Sequence, residues 1–262
     1  MSGTGSAKRS TGLMLISIMT FGFLYLPLVF VIIFSVNSSI IGALPLEKFT
    51  LDWYRQAFED RQVLAAFQNT VVVGVVATFV SLILGTSAAF LFSRVRFAGR
   101  GAAKLIVMLP FVMPGIITGI SLLLIFSSLG INRSLATVIL GHVVFCFAMV
   151  FRTVSARLQV MSRSYEEASY DLGANRLQTF LLVTLPNIRS ALISAGLLTF
   201  VLSIDETLIT FFVIGRQNTL PILIWSMLRR GFTPKMNAIV TVLFLFSLVI
   251  VLLLGVSMRK KE

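Results

Sequence analysis

Long apolar runs alternate with short polar stretches along this chain. Each run is long enough to cross a hydrocarbon core of about 30 Å as an α-helix, since one crossing takes roughly 20 residues. The pattern predicts six membrane-spanning helices near residues 13–36, 66–92, 104–128, 134–156, 190–213 and 237–257. This leaves two tails, at 1–12 and 258–262, and one membrane domain at 13–257. The predicted fold is an all-α integral membrane protein.

The composition of the chain supports a membrane location for these runs. Hydrophobic residues make up 57% of the 262 positions and charged residues only 12%, and the mean hydropathy is +0.96. A chain with so few polar residues cannot cover the surface of a water-soluble globule. The first run is longer than the apolar core of a secretory signal peptide, so we expect a retained helix there.

The cations of the chain predict its orientation. Cytoplasmic loops of membrane proteins are enriched in Lys and Arg. The cations cluster before the first run, after the second, around the stretch between the fourth and fifth, and after the sixth, at Lys8, Arg9, Arg94, Arg96, Arg100, Lys104, Arg152, Arg157, Arg163, Arg176, Arg189, Arg259, Lys260 and Lys261. The loop after the fifth run is an exception, with Arg216, Arg229, Arg230 and Lys235. With six spans, both termini are predicted to be cytoplasmic.

Other classes of function lack the residues they need. The formal charge of +12 is spread along the membrane edges rather than gathered on one face, which argues against a nucleic-acid partner. The sequence has no phosphate-binding loop, His-Glu-x-x-His or Gly-x-Ser-x-Gly motif, which argues against ATP, peptide or ester hydrolysis. His142 and Cys146 are too few to hold a metal, and we expect His142 to bond to a neighbouring helix. The chain is therefore predicted not to be an enzyme.

The polar stretch between the fourth and fifth runs carries the clearest motif. Glu166 and Glu167 stand where the positive end of a helix dipole would favour acidic residues. Gly173 suits a left-handed helix end, and Pro186 suits the first turn of a following helix because it has no backbone N–H to satisfy. The stretch at 157–189 is therefore predicted to form two short helices at an angle, where a soluble partner can reach them.

This stretch resembles the EAA loop of ABC importer permeases, in which Glu-Ala-Ala, three residues, Gly and nine residues precede Ile-x-Leu-Pro. The matching positions are Glu167, Ala168, Gly173, Leu185 and Pro186, whereas Ser169 replaces the second alanine and Val183 replaces the isoleucine. Other segments resemble the C-type permeases of spermidine and putrescine transport, namely Gly141–Cys146, Asp171–Ala174, Leu202–Glu206 and Leu220–Met227.

The resemblance implies a permease subunit of the type I ABC importer fold in a bacterial cytoplasmic (inner) membrane. Its implied partners are a second, B-type permease, a dimer of ATP-binding subunits and an extracytoplasmic substrate-binding protein. The EAA loop would couple the permease to one ATPase through Glu167, Ala168, Leu172, Gly173, Leu185 and Pro186. ATP and Mg would be bound by that ATPase, with no cofactor in this chain. ATP binding would then drive alternating access of a path that this chain half lines.

Two acidic residues lie inside the fifth predicted span. An ionisable residue at membrane depth costs about 2.5–3.5 kcal/mol, so such residues usually face a bundle interior or a watery path. On a regular helix one polar stripe would contain Ser203, Glu206, Thr207 and Thr210, and Asp205 would point away from it. Glu206 is therefore the first candidate to contact an ammonium group of the cargo. The alternative is that Asp205 and Glu206 bond to neighbouring helices or to a partner subunit.

Two further patterns concern helix packing. Pro110 and Pro114 remove backbone donors within the third run, which predicts a kink or local unwinding. Such breaks line cavities in some transporters and are only structural in others. Gly115 and Gly119 form a Gly-x-x-x-Gly pair, a spacing that permits close contact between helices.

Two alternatives to polyamine import stay open at this point. In the first, the chain is a permease of the same type of importer, but the cargo is iron, a phosphonate or an amino-acid-like molecule. This alternative stays open because related permeases share the EAA loop. In the second, the chain is a membrane scaffold without a transport function, and the loop only anchors a cytoplasmic partner. The paired acids favour a cationic cargo over an anionic one and do not separate putrescine from spermidine.

Overall fold

A computed structural model describes residues 4–40 and 45–259, with side chains described at 13–40, 45–252 and 255. Within these residues the chain is helical apart from loops and one isolated β-bridge between Asn37 and Phe49. The helices are α1 (Thr4–Ser35), α2 (Asp52–Glu59), α3 (Arg61–Arg94), α4 (Arg100–Val112), α5 (Gly115–Ser128), α6 (Leu135–Val160), α7 (Ser164–Asp171), α8 (Arg176–Thr179), α9 (Leu185–Asp205), α10 (Leu208–Val213), α11 (Leu220–Arg230) and α12 (Pro234–Arg259). A π-helical segment, Phe180–Thr184, connects α8 to α9. The prediction of an all-α fold is confirmed.

Five helical stretches in the described part of the chain are long and apolar enough to cross a membrane: Leu13–Ser35, Arg61–Arg94, Leu135–Val160, Arg176–Asp205 and Pro234–Leu252. Helices α4 and α5 are bent by 104° at a short break and make a sixth crossing if they form one span. The count then equals the six predicted runs. The predicted runs at 13–36, 66–92, 134–156 and 237–257 also agree in position to within several residues.

The predicted tails fall largely outside the description. Residues 1–3 and 260–262 lie outside the described residues, and the backbone of α1 already begins at Thr4. The side chains of the tail cations also lie outside the described set, namely Lys8, Arg9, Arg259, Lys260 and Lys261. The orientation that these cations predict therefore still depends on the sequence.

The third and fifth predicted runs are not continuous helices. In the third, α4 ends at Val112, and Met113 is extended with a ψ of 143° before Pro114 precedes α5. The break that the prolines predict is confirmed, and it lies at Pro114, whereas Pro110 stays inside α4. In the fifth, α9 ends at Asp205 and the chain resumes as α10 at Leu208, so the predicted regular helix over 190–213 is wrong. No proline or glycine marks this second break.

The chain divides into two compact units, the first formed by residues 1–61 and 224–246. In this unit Trp53 of α2 donates its Nε1 hydrogen to the backbone oxygen of Asn37, at 2.8 Å, in the loop after α1. Lys235 of α12 forms an ion pair with Asp60, with an N–O distance of 2.6 Å. The short helix α2 therefore contacts the loop after α1 through Trp53, and the residue that follows α2, Asp60, is paired with α12.

The second unit, formed by residues 62–223 and 247–262, contains two apolar clusters. One cluster joins α3, α6 and α9 through Ala89, Phe92, Val150, Phe151, Val154, Leu158, Ile188 and Ala195. The other joins α3, α5, α6 and α10 through Val73, Phe126, Val138, Ile209, Val213 and the following residue, Ile214. Helices α3 and α6 contribute to both clusters and so connect them.

Candidate functional site

The predicted EAA segment, residues 157–189, contains the short helices α7 and α8 on either side of a turn. Gly173 in this turn has a φ of +86°. Its N–H donates to the oxygen of Tyr170 at 2.9 Å, and the next N–H, of Ala174, donates to the oxygen of Ser169 at 3.1 Å. This pair of bonds is a Schellman helix end, whose left-handed residue glycine adopts without a steric penalty. The predicted short helix before Gly173 is confirmed as α7, whereas the helix after the turn is not a separate short helix, because it continues from Arg176 to Asp205.

The predicted coupling residues divide between two places. Four of them lie in α7 and the turn after it, and all four are exposed: Glu167, Ala168, Leu172 and Gly173. Leu172 is the most exposed large apolar side chain among the described residues, at 89%. The other two belong to the first turn of α9, where Leu185 is half-buried and Pro186 is exposed.

Pro186 is the second residue after the π-helical segment. Proline has no N–H and crowds the carbonyl four residues earlier, and a wider π turn accommodates both effects. The side chain of Asn187 donates to the backbone oxygen of Val183, at 2.8 Å. As a result α8, the π-helical segment and α9 run as one helical stretch from Arg176 to Asp205. The EAA segment therefore continues without a loop into the fifth span.

Glu166, the neighbour of Glu167, points into the protein. Its side chain is 7% exposed, and its Oε2 lies 2.8 Å from Nε of Arg94, the last residue of α3. Its Oε1 accepts hydrogen bonds from Nη2 of Arg94 at 2.9 Å and from Oγ1 of Thr184 at 2.9 Å. From the sequence alone, Glu166 is predicted only to be an acid at a helix start. Helix geometry could have indicated that the two acids differ in environment. Adjacent residues on a helix are separated by about 100°, so Glu166 and Glu167 cannot share one face.

The second candidate region is the break between α9 and α10. Glu206 follows the last residue of α9 with a φ of −69° and a ψ of 108°, which is outside the helical region. Its Oε1 accepts a hydrogen bond from the backbone N–H of Ile209 at 2.9 Å, so the side chain caps the start of α10. The predicted polar stripe depended on a regular helix through Glu206 and is therefore wrong as a single helix face.

A chain of hydrogen bonds crosses this break. Nδ1 of His142, on α6, lies 2.7 Å from Oγ of Ser203, and its Nε2 lies 2.7 Å from Oγ1 of Thr210. Thr210 donates its hydroxyl hydrogen to the backbone oxygen of Glu206 at 2.8 Å, so it accepts from Nε2–H of His142. Burial of His142 favours the neutral imidazole, in which Nδ1 accepts the hydroxyl hydrogen of Ser203. The expectation that His142 bonds to a neighbouring helix is confirmed, with one bond on each side of the break.

Glycines allow the broken ends to approach one another. A Cβ added to Gly119 would lie 2.7 Å from Cδ2 of Phe212 and 3.2 Å from Cα of Ile209, so only glycine fits between α5 and α10. A Cβ added to Gly115 would lie 3.2 Å from Cβ of Leu208 and 3.6 Å from Oε1 of Glu206. The Gly-x-x-x-Gly pair is thus a close contact, and the start of α5 lies against the break in the fifth span. The two interrupted spans meet here.

The predicted path residues occupy different environments around this break. Ser203 and Thr210 are buried, Glu206 and Thr207 are half-buried, and Asp205 is exposed. Within the described residues no hydrogen bond or ion pair engages the carboxylate of Asp205. Thr207 donates only to the backbone oxygen of Asp205, at 3.1 Å. Among the described side chains no three of His, Cys, Asp and Glu come together as a set of metal ligands.

Comparison with known proteins places this chain among transport proteins. A family model described as "Binding-protein-dependent transport system inner membrane component" matches residues 81–260. The putrescine transport system permease protein PotI of Escherichia coli is 38% identical over 243 residues, which cover 90% of this chain and 86% of the relative. The spermidine/putrescine transport system permease protein PotC of Haemophilus influenzae is 30% identical over 243 residues, covering 92% and 94%.

A solved structure shares the fold. It is a bacterial ABC transporter involved in the import of the acidic polysaccharide alginate, and one of its chains is similar to this one with a TM-score of 0.74. The sequence identity is 16%, and the match covers 99% of this chain and 98% of the other. The likeness therefore concerns the arrangement of the helices along the whole chain.

Proposed function

Because the chain belongs to the family of binding-protein-dependent transport system inner membrane components, and is a transport subunit rather than an enzyme, we propose that it imports a polyamine. The observation that carries this proposal is the similarity to putrescine and spermidine/putrescine permeases, which extends over nearly the whole chain. The chain forms half of the path for putrescine or spermidine, and a second, B-type permease forms the other half.

The break after α9 supplies the negative charge that a polyamine needs. The carbonyl oxygens in the last turn of a helix carry partial negative charge, and Asp205 and Glu206 add carboxylates at the same end. One oxygen of Glu206 is occupied by the N–H of Ile209, whereas the Asp205 carboxylate is exposed. We therefore place Asp205 beside Glu206 as a ligand of the ammonium groups. Ser203, Thr207 and Thr210 support this end of the path.

The EAA segment supplies the coupling to ATP hydrolysis. Its exposed turn with Glu167, Ala168, Leu172 and Gly173 docks onto one subunit of a dimer of ATP-binding proteins, which bind ATP and Mg. Leu185 and Pro186 carry the movement into α9. An extracytoplasmic binding protein delivers the cargo to the opposite side. This orientation requires cytoplasmic termini and a location in the bacterial inner membrane, in agreement with the distribution of Lys and Arg.

The test is transport by the complete complex reconstituted in vesicles. The binding protein is added empty, loaded with putrescine or loaded with spermidine, and both ATP hydrolysis and uptake are measured. We expect stimulation by at least one of the polyamine-loaded forms. If neither form stimulates ATP hydrolysis or uptake, the polyamine proposal is wrong.

Two amide variants test the path in the same vesicles. Asp205→Asn and Glu206→Gln remove the charges and keep an oxygen acceptor, so the amide that replaces Glu206 can still cap α10. Losing a charge-assisted hydrogen bond costs about 1.5–3 kcal/mol, so uptake at low polyamine concentration should fall roughly 10- to 100-fold. Asp52→Asn is the matched control, because Asp52 is an exposed carboxylate on α2. Unchanged uptake in both path variants would remove these acids from the path.

The two alternatives predict different results in this experiment. The same importer with an iron, phosphonate or amino-acid-like cargo would respond to a binding protein loaded with that cargo and not with polyamine. A scaffold without a transport function would assemble with its partners and show no uptake of any cargo. The adjacent acids at the break favour the cationic cargo, because two neighbouring carboxylates repel anions.

A further inference from the structure

The carboxylate of Glu166 connects three helical elements that meet at the EAA segment. It belongs to α7, it pairs with both Nε and Nη2 of Arg94 at the end of α3, and it accepts the hydroxyl hydrogen of Thr184 in the π-helical segment. The Arg94 and Glu166 side chains are only 14% and 7% exposed, and Thr184 is buried completely. We name these three residues the Arg94–Glu166–Thr184 joint.

Further bonds hold the same elements in one arrangement. Nη2 of Arg163, which precedes α7, donates to the backbone oxygen of Ser93 in α3 at 3.0 Å. The hydroxyl groups of Ser169 and Thr179 lie 3.0 Å apart and link α7 to α8. The short helix α7 is therefore fastened at its start to α3 and at its end to α8.

Physical chemistry makes this joint resist separation. A paired, hydrogen-bonded guanidinium and carboxylate can stay buried, but pulling one away leaves an uncompensated charge in a poorly solvated place. Arg94 contacts both oxygens of Glu166, through a hydrogen bond from Nη2 to Oε1 and an ion-pair contact between Nε and Oε2. A force applied to α7 is thus passed to α3 and α9 rather than absorbed by movement of α7 alone.

The joint stands at one end of α9 and the acidic break at the other. Thr184 immediately precedes α9, and Asp205 is its last residue. The 21 residues of this helix give a length of about 30 Å, since an α-helix rises 1.5 Å per residue. A displacement of the joint therefore reaches the break through one helix, without an intervening loop.

We propose that Arg94, Glu166 and Thr184 are positioning residues that transmit movement of the EAA segment to α3 and α9. This inference rests on the proposed import function and adds to it that the adjacent acids Glu166 and Glu167 have different roles. Glu167 faces outward toward the ATP-binding partner, and Glu166 faces inward and carries the movement to the spans. The joint takes no part in binding the cargo.

The experiment measures coupling in the complete complex, with its partner permease, ATP-binding subunits and polyamine-loaded binding protein. The readouts are assembly, basal ATP hydrolysis, and the number of polyamine molecules moved per ATP hydrolysed. Glu166→Gln leaves Arg94 without its counter-charge. We expect assembly and basal hydrolysis to persist, while the ratio of transport to hydrolysis falls roughly 5- to 150-fold, the usual range of coupling between two sites.

Four further variants separate coupling from simple stability. Arg94→Lys keeps the charge but loses the two-pronged contact, and it should recover part of the ratio lost in Arg94→Met. The double variant Arg94→Met with Glu166→Leu removes both charges, and such apolar replacements often preserve stability. It should assemble and still transport poorly per ATP. Asp60→Asn breaks the ion pair between Asp60, which follows α2, and Lys235 of α12, and it serves as the matched control, with an unchanged ratio.

The outcomes distinguish this inference from the function on which it rests. If the wild-type complex shows neither uptake nor stimulation with polyamine, the proposed function fails and the joint fails with it. If the wild type transports polyamine and Glu166→Gln keeps the full ratio, only the joint is overturned. A return of full coupling in the apolar double variant would also overturn it, because the pair would then be only structural.

Discussion

At the scale of single residues, a buried imidazole holds together the two sides of a helix break. His142 accepts from Ser203 on α9 and donates to Thr210 on α10, and Thr210 passes its own hydrogen to the backbone of Glu206. A neutral imidazole with both nitrogens bonded has no free position for a metal or for the cargo. Its role is to hold the carbonyl of Glu206 and, through it, the acidic residues.

The bond between Ser203 and His142 can be removed with little change in shape. Ser203→Ala leaves Nδ1 of His142 buried without a donor, which should lower the free energy of unfolding by about 1–3 kcal/mol. The measurement is the thermal denaturation midpoint of the purified complex. Ser17→Ala is the control, because Ser17 is an exposed residue of α1 whose hydroxyl bonds to its own helix at Leu13. Equal midpoints for the two variants would contradict this account of the buried bond.

At the scale of elements, the short helix α10 is held by glycines of its neighbours. Gly115 and Gly119 of α5 and Gly141 of α6 approach it so closely that added Cβ atoms would contact its residues. Six residues cannot form a stable helix in isolation, because the cost of nucleation is not recovered over so short a length. Helix α10 therefore owes its existence to this packing and to the cap from Glu206.

One methyl group tests the packing of α10. In Gly119→Ala the new Cβ would lie 2.7 Å from Phe212, so α5 and α10 must separate, at a cost of about 1–3 kcal/mol for overpacking. We expect a lower denaturation midpoint and weaker uptake, since the break lies at the start of α10. In the control, Gly101→Ala on α4, no atom lies within 4 Å of the new Cβ, and the midpoint should stay equal or rise. Equal effects of both variants would refute the close contact.

At the scale of the whole molecule, the chain belongs to a family of membrane transport subunits, and in the proposed function its spans form half of a path. In the proposed function, the ATP-binding partner acts on the EAA segment, and the positive charge of the cargo is met at the break after α9. Both places lie in the second compact unit, formed by residues 62–223 and 247–262. In the proposed function one continuous helix, α9, leads from the first place to the second.

Single cysteines test the orientation of the spans in the membrane. Cys146 is the only native cysteine and is buried, so the wild-type chain should not react with a membrane-impermeant maleimide. Thr233→Cys, between the fifth and sixth crossings, should react in cells with a permeable outer membrane. Ala98→Cys, between the second and third, should react only after the inner membrane is opened. Both positions are exposed. The reverse pattern would invert the proposed orientation.

The features that depend on local sequence were predicted well. Hydropathy identifies a membrane span because lipid acts on each segment independently of the rest of the fold. The turn at Gly173 and the break at Pro114 follow from the backbone limits of glycine and proline, which neighbours do not alter. The family likewise followed from the spacing of the EAA motif. These properties can be determined from the amino-acid sequence alone.

Contacts between distant residues were decided only by the tertiary structure. The helix ends at Asp205 without proline or glycine, because the cap on α10 and the bonds of His142 compensate for the lost helical bonds. Glu166 faces inward because it pairs with Arg94, which is adjacent in space although it lies 72 positions away in the sequence. Local patterns cannot specify such partners, since a charge or hydroxyl has no preferred direction until the opposite helix supplies its counterpart.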